Sequence, residues 1–340
     1  MDFDGHCENR SWGTVRCRAT TDRHGNDVVL VVARVAYAVS QGGKVTLEHR
    51  PIRFSDVPDG SGGVRFPSDF ATDKPGTDVG LVGTAYPSKA GAERHLAWVM
   101  VGSSLRKVVQ LLGPRTFTTS WGKVAPGAPG PIEAVPLTYA HCFGGTEPPP
   151  TPEGFPTEEP HNPIGVGFAT SPELLLGKPA PRLEPVSDVG VHPHPSHGCF
   201  APLPPSWEPR RNRIGTRDAS YHRTRAPVPP ADFDPMFHSW APPELHARSP
   251  LAPNEPIEVG GVLPEGTWRF VLPAYALSFG VPDGEDWHRF ATHLDGILVD
   301  ADARVVELTW RTTIPLPDPW EKLPRFRVWS DTPMPKEVLP

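Results

Sequence analysis

Four groups of residues have the types and spacing that could do chemistry. The run HPHPSHGC sets His192, His194, His197 and Cys199 close together, and imidazole with thiolate is a ligand set for zinc or copper. Against a metal stand the alternating prolines and the lack of a second ligand pair at a usual spacing, since His141-Cys142 would have to come from elsewhere. The run therefore reads as an exposed polar loop, with no metal and no other cofactor expected. His141-Cys142-Phe143-Gly144-Gly145 invites a thiol nucleophile, which needs a neighbouring base. Adjacent side chains on an extended chain point to opposite sides, so Cys142 reads instead as a buried small residue ahead of a Gly-Gly turn. GVGFATS, near Gly165, lacks a phosphate-loop pattern and precedes no convincing helix.

The fourth group is acidic: Asp69, Asp73, Asp78, Asp218, Asp232 and Asp234. Paired carboxylates can run acid-base hydrolysis, and Asp218, Asp232 and Asp234 would be its carriers. The competing reading makes DFATDKPGTD and PADFD turn and capping devices, with Arg217, Arg223 and Arg225 forming bidentate pairs to the carboxylates. Arginine this dense beside the acids fits pairing better than a raised carboxyl pKa, and no catalytic residue is assigned.

Three of these acids fall in Pro204–Phe237, which also holds Trp207, Tyr221, Phe233, Phe237 and the arginines Arg210, Arg211, Arg213, Arg217, Arg223 and Arg225. Proline keeps this stretch out of regular ladders, so it needs a prebuilt surface to lie on. The flanks supply one. WGTVRCRATTD alternates, and VVLVVARVAYAVSQGGKVTLEHRPIRF reads as strand, Gly-Gly turn, strand. HLAWVMVGSSLRKVVQLLG reads as two strands around Gly102–Ser104, and ILVD with VVELTWR as a hairpin turning at Asp300–Ala303. Short helical turns are expected at Ser171–Leu176 and Asp232–Trp240. The fold class is mainly β, with antiparallel, sandwich-like sheets, long proline-rich irregular loops and few short helices. Three regions are expected: an antiparallel β domain over 12–124, a loop region over 125–254 packed on that scaffold, and a β-hairpin region over 255–320 completing the fold.

Composition bounds the function. The chain has 340 residues, 46 of them proline and 10 tryptophan; the aromatics argue for ordered extended connections rather than disorder. Its net charge of -6 gives no global field for nucleic acid, and no apolar run is long enough for a membrane span. The first residues have neither the basic start nor the apolar run of a signal peptide, so a cytoplasmic protein with reduced thiols is expected.

The order of DFATDKPGTDVGLVGTAY, PLTYAHCFGG, NPIGVGF, PRLEPV, the W-EPR…GTRD…DFD stretch, LPAYALSF and VELTWRTTIPLP resembles a bacterial family catalogued as a domain of unknown function. Its members are encoded beside type VI secretion spike genes. The resemblance covers about residues 12 to 318 and implies a cytoplasmic, non-enzymatic adaptor or chaperone. Such a protein binds a secreted effector and helps mount it on the spike-tip trimer, sometimes with a proline-alanine-alanine-arginine repeat tip protein. His141-Cys142 stands where the family tends to have Arg-Ala, and GTRD (215–218) where GTYD is usual. Tryptophan, tyrosine and arginine dominate binding hot spots, so Trp207, Arg210, Arg211, Arg213, Tyr221 and Arg225 are the expected partner-binding residues. Two other readings stay open: a hydrolase using the three acids, or a structural component of a larger assembly.

Overall fold

The computed structural model describes residues 2–40, 45–149, 151–186, 197–249, 251–252, 254–264, 266–272 and 276–330. It is mainly β, with one α-helix among the described residues and several short 3-10 turns. The main sheet runs His246–Ala247, Thr77–Val82, Leu294–Asp300, Val305–Pro315, Asp27–Val39, Thr14–Thr21, with Val45–Glu48 also paired to Asp27–Val39. Its pairs are antiparallel except Thr77–Val82 with Leu294–Asp300. Strand Asp27–Val39 is apolar at nearly every position because both faces are covered. Val29, Val31, Ala33 and Val35 face the main hydrophobic cluster. The alternate positions, Leu30, Val32 and Arg34, are buried as well, and Arg34 donates to the Pro51 carbonyl.

A second, wholly antiparallel sheet runs Leu183–Pro185, Leu105–Leu112, Arg94–Val101, Pro256–Leu263, Gly266–Val271. Arg94–Val101 and Leu105–Leu112 alternate buried with less buried positions, as a half-buried strand pair must. A third sheet runs Cys7–Arg10, Phe326–Ser330, Leu277–Asp283, Asp286–Phe290, with Cys7–Arg10 parallel to Phe326–Ser330. One hydrophobic cluster joins the three: it includes Val31 and Leu308, Val99 and Val259, and Phe279 and Val328.

The expected hairpin forms, with Val299 opposite Val306 and Asp300 opposite Val305. The expected turns are the 3-10 segments Pro172–Leu175 and Pro235–His238. The α-helix Ala219–Thr224 was not anticipated; it is a short helix between proline and glycine, with no buried residue to leave an apolar stripe. A two-residue turn closes the hairpin of Phe117–Ser120 with Lys123–Pro126, and there Trp121 (φ 50°) is fully exposed beside Gly122 (φ 73°).

Candidate partner-binding surface

Buried charge fastens the central segment to the main sheet. Asp78, on strand Thr77–Val82, is fully buried and has three partners. Its Oδ2 accepts from the Trp240 backbone N–H at 2.7 Å and lies 2.9 Å from Lys74 Nζ, and its Oδ1 is 2.8 Å from His246 Nδ1. Burial pushes the Asp78 carboxyl up, but the Lys74 charge and the His246 hydrogen bond outweigh it and hold the pKa below the ordinary value. Lys74 also donates to the Asp295 carbonyl at 2.5 Å and sits 5.0 Å from the Trp240 ring centroid. Asp69 pairs with Arg34 and accepts from the Arg53 N–H at 2.8 Å. Arg53 grips Glu307 through two bonds of 2.6 and 2.7 Å, and Arg311 pairs with Asp295. A buried ion is tolerable only when paired and hydrogen-bonded. The stretch DFATDKPGTDV is therefore a clamp between sheet and loops.

The other motifs interlock in the same way. Phe143–Gly144 pairs in parallel with Val166–Gly167. Asn162, itself buried, donates to the Tyr139 carbonyl at 2.9 Å and the Phe143 carbonyl at 2.8 Å. Gly144 must be glycine: its φ is 148°, and a Cβ there would lie 2.1 Å from the Asn162 carbonyl oxygen. Cys142 is buried, its Sγ 3.7 Å from the Thr138 carbonyl, and burial pushes its thiol well above the usual range. All four cysteines are free thiols.

Of the six residues expected to meet a partner, Trp207 and Arg210 form the floor. Trp207 is 5% exposed and stacks edge-on against Tyr139, ring centroids 5.4 Å apart, while the Tyr139 hydroxyl donates to the Ala201 carbonyl at 2.9 Å. Arg210 is 8% exposed, donates to the Phe237 carbonyl at 2.9 Å and to the Leu203 carbonyl, and lies over the Phe237 ring. Apolar packing and carbonyl bonding draw both under the surface. The other four lie further out. Arg211 is exposed, 3.4 Å from both Glu158 and Glu208. Arg213 donates to the Met236 carbonyl at 3.3 Å and lies 3.6 Å from Asp234. Tyr221 is half-buried against His222, and Arg225 donates to the carbonyls of Pro229 and Arg23.

The acids of this region act as caps. Asp218 accepts from the Tyr221 N–H at 2.8 Å and starts Ala219–Thr224; Asp234 accepts from the Met236 N–H at 2.9 Å and starts Pro235–His238. Asp232 accepts from the Thr216 N–H at 2.9 Å and hydroxyl at 2.7 Å, bonds that lower its pKa, the opposite of what a general acid needs. The bidentate Arg–carboxylate pairs expected for Arg217, Arg223 and Arg225 do not form. Arg225 is held by carbonyls, and among the described residues Arg217 and Arg223 make no ion pair and are exposed. Asp73 pairs instead with Arg23 at 3.0 Å. Arg217, His222 and Arg223, beside and on the short helix, are exposed, as is Arg211 in the turn before it.

In HPHPSHGC, His192 and His194 lie outside the described residues. His197 and Cys199 are buried rather than looped into solvent, because the chain here passes beneath Tyr139 and Trp207. Burial, with the charges of Lys107 and His161, lowers the His197 pKa to about 4. No three potential metal ligands come together among the described residues.

Sheets that bury a clamp of charge and carry a loop layer ending in an exposed basic helix define a β-rich protein. No helix among the described residues is long and apolar enough to cross a membrane. Residues 24–311 match the family described as an uncharacterized protein conserved in bacteria, DUF2169, and the chain belongs to that family. No curated protein and no solved structure matches it.

Proposed function

We propose that the chain is a non-enzymatic bacterial adaptor that binds a type VI secretion effector and helps load it onto the spike. The observation that carries this reading is the construction of the central segment. Exposed arginines stand on a floor of buried Trp207 and Arg210, and Asp78 ties the segment's exit at Trp240 to the main sheet. Such a surface loses little entropy when a partner lands on it. Its charge selects an acidic patch on the cargo, and arginine is the residue best suited to bidentate carboxylate recognition. The link to secretion rests on the resemblance in motif order.

Affinity purification of the tagged protein from its native host, with mass spectrometry, tests the reading. The expected result is stoichiometric recovery of a spike protein or a large toxin-like neighbour. The triple variant Arg211→Ala, Arg217→Ala, Arg223→Ala should keep the fold and lose that partner. Recovery of the wild-type protein alone at low salt would sink the proposal, and an unaffected triple variant would move the contact elsewhere.

A further inference from the structure

Three short segments beside the second sheet hold one another in place and leave a groove above them. Residues 113–117 lie in the middle. On one side the Gly127 N–H donates to the Thr116 carbonyl at 2.8 Å and the Gly130 N–H to the Pro114 carbonyl at 2.9 Å; on the other the Ala180 N–H donates to the Arg115 carbonyl at 3.0 Å. Gly113 lets the backbones meet, since a Cβ there would stand 1.7 Å from the Gly130 carbonyl oxygen. Pro114, Pro129 and Pro179 fix the backbone in each of the three segments. The groove has a volume of about 620 Å³ and is open to solvent.

Two arginines line it, and they differ in what they still have to give. Arg115 is satisfied: it pairs with Glu184 and donates to the Pro181 carbonyl at 2.8 and 3.0 Å. Arg182 is half-buried, and among the described residues it makes no ion pair. Its Nε donates to the Leu112 carbonyl and its Nη2 to the Ala134 carbonyl, both at 3.3 Å, longer than a good N–H bond. Its Nη1 makes no bond among the described residues. Burial lowers its pKa, with no carboxylate acting the other way. No acidic side chain lines the groove; Glu184 is taken by Arg115, and Glu133, next to Ala134, is exposed and outside the lining. The hydroxyls of Thr116 and Thr118, both in the lining, also make no bond among the described residues. A cation drawn partly out of water without a counter-ion is unfavourable, and an anion from outside would relieve it.

We propose that this groove captures the C-terminal carboxylate of an extended peptide chain. The carboxylate takes the open N–H groups of Arg182, which a planar guanidinium offers in the geometry a carboxylate accepts, and the last apolar side chain lies along the proline-lined wall. A free small molecule fits less well. Pockets for such ligands enclose most of the ligand surface, whereas this groove is open, and a chain end needs only its last residues held. The fixed backbone of the three segments has little ordering left to lose on binding. None of the residues of the adaptor surface takes part, so the two proposals can fail separately.

The test is fluorescence anisotropy of the full chain with fluorescein-labelled tetrapeptides that end in Ala, Val, Leu or Phe, each made with a free carboxylate and as the C-terminal amide. At least one acid should bind, and its amide should bind about tenfold more weakly or worse, as loss of a charge-assisted hydrogen bond implies. Arg182→Gln should weaken the acid by a similar factor. Because Arg182 also bonds two carbonyls of its own chain, Ala128→Glu serves as the second variant: Ala128 is exposed and lines the groove, so a carboxylate there repels the peptide without touching those bonds. The triple variant Arg211→Ala, Arg217→Ala, Arg223→Ala should bind the acid as wild type does, and circular dichroism checks that each variant folds. Binding of no acid peptide, equal binding of acid and amide, or an unaltered affinity in Ala128→Glu would overturn the proposal. So would N-acetyl-leucine displacing the labelled peptide as well as the unlabelled peptide does, since the site would then read a free small acid.

Discussion

Asp78 has a basic side chain, an imidazole and a backbone N–H converging on its two oxygens with no water-facing side left. Replacing it by Asn keeps the shape but leaves Lys74, itself buried, without its countercharge. Asp78→Asn should therefore cost about 3 to 5 kcal/mol, read as a lower urea midpoint at unchanged slope. A midpoint within experimental error of wild type would show that Lys74 finds another partner. At this scale the sequence was half legible. That Asp232 and Asp234 hold turns and caps was legible in PADFD, because short acids in proline-rich stretches make turns and caps. Their partners were not legible. Asp78 meets His246 and Trp240 across more than 160 residues, as the sequence separations of 168 and 162 show. Arg225 bonds to the carbonyls of Pro229 and Arg23 instead of a carboxylate.

Among the elements, the long strands Asp27–Val39, Arg94–Val101, Leu105–Leu112 and Val305–Pro315 declared themselves through alternation or continuous apolar runs, whereas Cys7–Arg10 and Phe326–Ser330 lie outside every region expected from the sequence; the sheets are mainly antiparallel as expected. The helix Ala219–Thr224 did not, since its only signal was one N-capping Asp218 with no stripe behind it. The hairpin of Phe117–Ser120 with Lys123–Pro126 shows a different mismatch. A two-residue turn with both φ positive prefers Asn-Gly, yet its first position is Trp121. A bulky residue there is strained, and one fully exposed buries no area in compensation. Trp121→Asn should stabilise the chain by about 0.5 to 1 kcal/mol, seen as a rise in the thermal midpoint. A fall would mean that the indole packs against something in solution.

For the whole molecule the telling groups are two histidines, His197, which is buried, and His238, which is half-buried. Burial lowers both His197 and His238 to about 4, helped by the charges of Lys107 and His161 at the first and of Arg311, Arg210 and Lys74 at the second. In the unfolded chain each takes a proton near the ordinary 6.5. Between those values the unfolded state binds more protons, so the stabilisation is present above pH 6.5 and is lost as pH falls to 4. The loss is roughly 3 kcal/mol per histidine. Asp78, with its lowered pKa, adds a further loss only once pH drops below the ordinary carboxyl value of 3.8. Urea midpoints should hold from pH 7.5 to about 6.5 and fall from there to pH 4, more gently in His238→Gln; a flat profile would rule the histidines out as the cause.

The closure of the main sheet also has a consequence for how the protein is made. Strand Asp27–Val39 finds one of its two long neighbours, Val305–Pro315, only after all the residues between them have been made, and the third sheet needs Phe326–Ser330. A growing chain on the ribosome must hold its most apolar strand with one edge open until that neighbour emerges. It is the kind of nascent chain that needs shielding by chaperones before it can do any work of its own.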